Sequence, residues 1–309
     1  MYDIYLPSME RRKGRRMNPI NWYPGHMAKA KRQLAEHLKY IDVIAEVVDA
    51  RAPRSSRNPD FDDLFRTKER VIFLNKCDLA DPSMTEQWSR HFRAEGFRVG
   101  KISSILSDGK SQAIRLMTDV AQKDVDRMNA KGVQKTVRAM IVGIPNVGKS
   151  TFINCIAGEN RALAADRPGV TKGNQWVKIT PYLELLDSPG LLWPKLENQA
   201  DAMHLAFLGS INDDILESES LAWELLRELR VLCPEALTAR YKSISSDTSE
   251  EELLEAVCKS RGFIKKGGIF DTERAAKVVL DEFRGGKIAH VTLERPLDSN
   301  KSEDLNSCE

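Results

Sequence analysis

Gly143-Ile-Pro-Asn-Val-Gly148-Lys149-Ser150 follows the apolar run Val137 to Val142 and leads into a helix-forming stretch that reaches about Ala157. The pattern G-x-x-x-x-G-K-[ST] between a strand and a helix is that of a phosphate-binding loop. Its glycines let the backbone wrap a polyphosphate, so that N–H groups and the helix N-terminus meet the negative charge. Lys149 is the residue to neutralise the β- and γ-phosphates and Ser150 the one to ligate Mg2+. Asn146, Val147, Gly148 and Thr151 complete the expected cradle.

On either side of this loop strand-like segments recur with helical segments between them. Ile41 to Val48, Val71 to Leu74 and Phe97 to Ile102 precede the loop, and Gln175 to Ile179 and Leu183 to Leu186 follow it. The almost uninterrupted apolar stretch Ile41 to Val48 and the run Val71 to Leu74 read as buried parallel strands. Helical spacing is expected from Pro24-Gly25-His26 to about Tyr40 and over residues 110 to 130. The alternation predicts an α/β fold with a mostly parallel sheet and ligands at the carboxyl ends of its strands.

A phosphate loop says only that a nucleoside triphosphate binds; the base is decided elsewhere. Asn75-Lys76-Cys77-Asp78 ends the second run. The Asp78 carboxylate suits the N1–H and N2 amine of guanine, neither of which adenine offers, and a buried carboxylate left unpaired rejects adenine. Asn75 is expected to bridge the base pocket to the phosphate loop, and the stem of Lys76 to cover the purine face. The Ser104 N–H is assigned to guanine O6. Thr171 and Asp187 are expected at Mg2+, Asp187 through water, and the Gly190 N–H at the γ-phosphate, whose loss releases both loops. The guanine motifs stand before the phosphate loop, which is a circular permutation of the usual order; domain termini that lie close together permit it.

Composition bounds the rest. Residues 11 to 40 carry nine Lys or Arg against Glu36 alone, although the whole chain has a net charge of only +2. Such a cluster reads either as a surface for phosphate-rich partners or as a solvated arm. Cys77, Cys155, Cys233, Cys258 and Cys308 have no paired spacing, so no zinc site or disulfide framework is expected. No run approaches eighteen apolar residues, and no membrane partner is expected. Residues 1–17 are read as a disordered basic arm or a start artefact, 18–196 as the nucleotide-binding domain, 197–295 as an all-helical domain and 296–309 as a disordered tail. Helices are expected at Leu221 to Leu232, Glu251 to Cys258 and Thr272 to Phe283, with Lys265-Lys266-Gly267-Gly268 a basic turn.

Over about residues 19 to 295 the chain resembles the circularly permuted ribosome-assembly GTPases, the ribosome biogenesis GTPase A family. The likeness is carried by Asn21-Trp-Tyr-Pro-Gly-His26-Met-Ala-Lys29, Val48-Asp-Ala-Arg51, Ser55-Ser-Arg-Asn-Pro59, Asn75 to Asp78, Gly143 to Ser150, Asp166-Arg-Pro-Gly-Val-Thr171 and Leu186-Asp-Ser-Pro-Gly-Leu-Leu-Trp-Pro194. The resemblance implies GTP hydrolysis stimulated by the ribosome during late maturation of the large subunit, and a helical domain that binds ribosomal RNA. Leu191 stands where Ras-like enzymes place a glutamine; the resemblance gives the water-orienting role to His26 instead. Asn146 stands at the phosphate-loop position that resembles that of potassium-activated GTPases, which implies K+ there. A monomer in the cytoplasm is expected, with the mitochondrial matrix as the alternative compartment.

Overall fold

Val43–Asp49 (β1) is buried at every position, as an almost uninterrupted apolar stretch, broken by Glu46, dictates for a strand covered on both faces. The computed structural model describes residues 25–158, 175–193, 196, 198–211 and 217–296, with the side chains of residues 25, 26, 28, 30 and 175 left aside. Helix α1 (Gly25–His37) and a 3-10 turn (Leu38–Tyr40) lead into β1. Helix α2 (Asp60–Leu64), β2 (Glu69–Asn75), α3 (Pro82–Ala94) and β3 (Arg98–Ile102) follow. After α4 (Lys110–Val120) and α5 (Gln122–Asn129) come β4 (Val137–Val142), α6 (Lys149–Ala157), β5 (Gln175–Thr180) and β6 (Leu183–Asp187).

The strands form one sheet among the described residues, in the order β3-β2-β1-β4-β6-β5. All neighbours are parallel except β5 and β6. Only Pro181 and Tyr182 separate those two strands, and so short a turn makes a hairpin, because a parallel crossover needs a dozen residues or more. Register aligns Asp49 with Asn75, Asn75 with Ile102, and Ile141 with Asp187. The polar motifs therefore share one edge of the sheet.

Residues 110 to 130, expected to be helical, form α4 and α5 with a break at Ala121. Helix α4 buries Ala113 and Met117, whereas α5 buries nothing, so the chain leaves the sheet surface where its apolar stripe ends.

Beyond β6 the described chain is helical: α7 (Gln199–Phe207), α8 (Ser218–Leu232), α9 (Pro234–Arg240), α10 (Leu253–Arg261) and α11 (Thr272–Arg284). Their buried faces and the sheet share a continuous apolar cluster that includes Phe207, Leu225 and Phe283. Residues 291–294 then run back along the sheet edge. Val291 N–H donates to Leu79 O (3.3 Å) and Leu293 N–H to Arg51 O (2.7 Å). Trp88 Nε1–H donates to Glu294 O (3.0 Å). The sequence reading contained no such strap.

The phosphate-loop helix is anchored by aromatic packing: the Phe152 ring of α6 lies 4.9 Å from that of Phe73 on β2, tilted by 47°. Both side chains are fully buried. Phe73→Ala is expected to cost about 3–5 kcal/mol through lost burial and a residual cavity, read as a lower urea midpoint with unchanged slope.

Candidate guanine-nucleotide site

At the end of β4 the chain enters a tight loop that needs its glycines. Gly143 has φ +150°, and a Cβ there would lie 2.5 Å from Val47 O. Asn146 adopts φ +60° and Gly148, at the N-cap of α6, φ +92°. The Lys149 ammonium turns back to donate to Ile144 O at 2.8 Å, and burial pulls its pKa down to about 8 despite the nearby Asp187. Ser150 Oγ donates to Asp187 Oδ2 at 3.1 Å. Asp187 Oδ1 is buried and makes no hydrogen bond among the described residues, and burial pushes this carboxyl above its ordinary pKa against the opposing Lys149 charge. An orphaned carboxylate oxygen beside a loop serine fits a hard cation. Ser150 and Asp187 would hold Mg2+ there, and it would supply positive charge to a bound polyphosphate.

The base-recognition loop is tied directly to the phosphate loop. Asn75 Nδ2 donates to Val147 O (2.8 Å), and its Oδ1 accepts from Ser104 Oγ (2.7 Å) and Ser104 N–H (3.3 Å). A Cβ on Gly148 would sit 2.5 Å from that Nδ2. Lys76, in the left-handed region at φ +60°, donates from Nζ to Asn146 O at 2.6 Å. Asp78 lies half-buried on the 3-10 turn Cys77–Leu79. Thus Asn75 through Asp78, Ser104, Asn146 through Thr151 and Asp187 meet at one edge. The Ser104 N–H, assigned from sequence to guanine O6, faces Asn75 here.

The loop after β6 lies on the phosphate loop. A Cβ on Gly190 would be 2.8 Å from Pro145 backbone, and Leu191 N–H donates to Gly143 O at 3.2 Å. Leu191 is buried, and its carbonyl accepts from Asn58 Nδ2 at 2.8 Å. His26 falls in the first turn of α1, but its side chain lies outside the described residues, as does all of Thr171.

Residues 138–223 match the family model described as a 50S ribosome-binding GTPase. The ribosome biogenesis GTPase A of Bacillus cereus is 43% identical over 292 residues, covering 94% of this chain and 99% of that protein. The Priestia megaterium protein of the same name is 44% identical over 91% of this chain and 99% of its own length. The chain belongs to the ribosome biogenesis GTPase A family. Its architecture is similar to GNP-bound YlqF of Thermotoga maritima, with a TM-score of 0.64 and 30% identity over 87% of this chain and 99% of that one. The protein is thus a P-loop GTPase, and the edge just described is the candidate site for its nucleotide.

In this GTPase several side chains that frame the site carried no role in the sequence reading. Asp49 is fully buried and accepts from Arg51 Nε (2.9 Å) and Nη2 (2.8 Å), with Lys76 Nζ 3.0 Å away. Burial opposes its charge, but Arg51 and Lys76 hold its carboxyl well below the usual carboxylate range. An Asp followed two residues later by Arg at a strand's carboxyl end was the available signal. Farther out, His204 of α7 lies between Glu294 Oε1 and Glu228 Oε1, each 3.0 Å from a ring nitrogen. Glu294 also accepts from Arg54 N–H (2.7 Å) and the Ser55 hydroxyl. Asp201, His204 and Glu294 converge closely enough to suggest a metal centre. Although burial disfavours the charged ring, the two glutamates raise the His204 pKa to about 9. With both ring nitrogens facing glutamates, the protonated ring makes the cluster an ionic clamp on the strap.

Two outcomes are expected. Gly148→Ala imposes a strained φ and a collision with Asn75, so affinity for fluorescently labelled GDP should fall by about tenfold or more in an equilibrium titration. Because the folded-state pKa of His204 is raised from 6.5 to about 9, its stabilising contribution is complete below 6.5 and lost as pH rises through 9. The thermal midpoint of the wild type should therefore decline across that window, and His204→Gln should flatten the decline.

Proposed function

We propose that this GTPase times a late step in assembly of the large ribosomal subunit, with hydrolysis accelerated by the subunit itself. The observation that carries the reading is Leu191. An apolar, buried side chain follows Gly190, so this loop presents no polar group there to orient attacking water. The missing group must come from elsewhere, and a partner that delivers it controls turnover.

In this reading His26 orients the water once the N-terminal segment is positioned on the ribosome. Mg2+ is held by Ser150, Thr171 and, through water, Asp187. K+ sits against Asn146 and supplies the positive charge that an arginine finger supplies in other GTPases. Asp78 selects guanine. The C-terminal helices contact ribosomal RNA, and one feature favours the turn at 265–269 as part of that surface. Its tip is a narrow loop closed by Lys265 N–H to Ile269 O (2.7 Å), with Gly267 and Gly268 both at positive φ and Ile264 and Ile269 exposed beside the lysines. Lysines beside exposed apolar side chains suit phosphate and base faces together. The protein acts as a monomer in the cytoplasm.

GTP turnover measured with and without purified large subunits, in potassium and in sodium, tests this reading. Subunits should raise the potassium rate at least about tenfold, and His26→Ala should remove about 100-fold of the stimulated rate while leaving GTP affinity intact. Stimulated turnover unchanged in His26→Ala sinks the role of His26, and equal rates in sodium sink that of K+. A complete lack of stimulation would leave a GTP-gated RNA-binding module as the better account.

A further inference from the structure

Two arginines connect the nucleotide loops to the C-terminal helices in a closed circuit. Lys76 Nζ donates to Asn146 O (2.6 Å), and Asn146 Nδ2 donates to Gly209 O just beyond α7 (2.7 Å). The Arg284 fork at the end of α11 donates from Nε to Phe207 O (3.0 Å) and from Nη2 to Ala206 O (2.9 Å). Arg51 Nη1 donates in turn to Arg284 O (3.0 Å), while its other two donors hold Asp49. Asp49 Oδ2 returns to Lys76 Nζ at 3.0 Å.

Each arginine thus sits at a helix C-terminus, where carbonyls lack intrahelical donors and the helix dipole favours a cation. Arg51 is buried with its guanidinium 5.5 Å from the Phe283 ring, so it has little freedom to shift alone. Gly209, at φ +70°, fits closely against Arg284: a Cβ there would be 3.1 Å from the guanidinium carbon. A displacement of α7 or α11 consequently moves the partners of Asn146 and Asp49, and through them Lys76.

We propose that Arg284 and Arg51 are positioning residues for guanine-nucleotide binding, which by capping α7 and α11 set the phosphate loop at Asn146 and the base-recognition loop at Lys76. Docking of the C-terminal helices and nucleotide occupancy are then coupled, and the coupling is reciprocal. A partner that pulls these helices from the sheet edge loosens the nucleotide, and bound nucleotide tightens the helices.

The full-length protein loaded with fluorescently labelled GDP provides the test. Arg284→Gln should release it at least about fivefold faster, with KM for GTP raised and kcat at saturation unchanged. Arg284→Lys, which reaches one carbonyl at a time, should fall between. Arg240→Gln serves as the control, because it breaks the pair between Arg240 of α9 and Glu282 of α11 (2.9 Å) without touching the circuit. Wild-type release from Arg284→Gln overturns the proposal. Equal acceleration by Arg240→Gln at a matched loss of Tm also overturns it. Should Arg284→Gln not fold, the wild type decides: GDP should slow amide exchange at Gly209 and Ser210, whose N–H groups bond to Ala206 O and Leu205 O, and no slowing refutes the coupling.

Discussion

The Asn75 carboxamide is the joint on which the nucleotide site depends. Its donor end holds Val147 O in the phosphate loop and its acceptor end holds Ser104, so one buried side chain fixes three loops. The joint works because parallel pairing places the ends of β2 and β3 side by side, while β4 delivers the phosphate loop across β1. Gly148 is required for the same reason: the amide nitrogen of Asn75 occupies the space a side chain would need.

Around that joint the protein buries charge and balances it with guanidinium groups. Asp49 is held by Arg51 and Lys76, and Glu46, fully buried on β1, by Arg57 and Arg70. A buried carboxylate without a partner costs several kcal/mol, roughly, so these pairs act as conditions for the fold rather than surplus stability. Arginine suits the task because its fork supplies further donors after the carboxylate is satisfied. Arg51 uses that surplus on α11, which is how a structural ion pair acquires reach toward the C-terminal helices.

The permuted order gives this arrangement its consequence. With the guanine motifs first and the phosphate loop later, the loop after β6 runs toward α7 rather than toward the base pocket. The helices that follow then fold back over the same edge, and the strap at residues 291–294 lies against Leu79 and Arg51. The phosphate loop at Asn146 and the turn at Leu79 are thereby both connected to the C-terminal region.

Local chemistry accounts for the strands, which follow from apolar stretches, for the phosphate loop, which follows from its glycine spacing, and for the permutation, which follows from motif order. These were legible because each requirement is met within a few neighbouring residues. The break at Ala121 was not, since it depends on where the sheet stops offering α4 an apolar surface. Nor were the strap, the His204 clamp or the circuit through Arg51 and Arg284, whose long-range partners lie about 77 to 240 residues apart. Whether an arginine ends in water or against the carbonyls of a distant helix depends on how whole elements pack, and no local spacing encodes it. Tertiary structure alone decided that two ordinary-looking arginines tie the guanine-nucleotide site to the C-terminal helices.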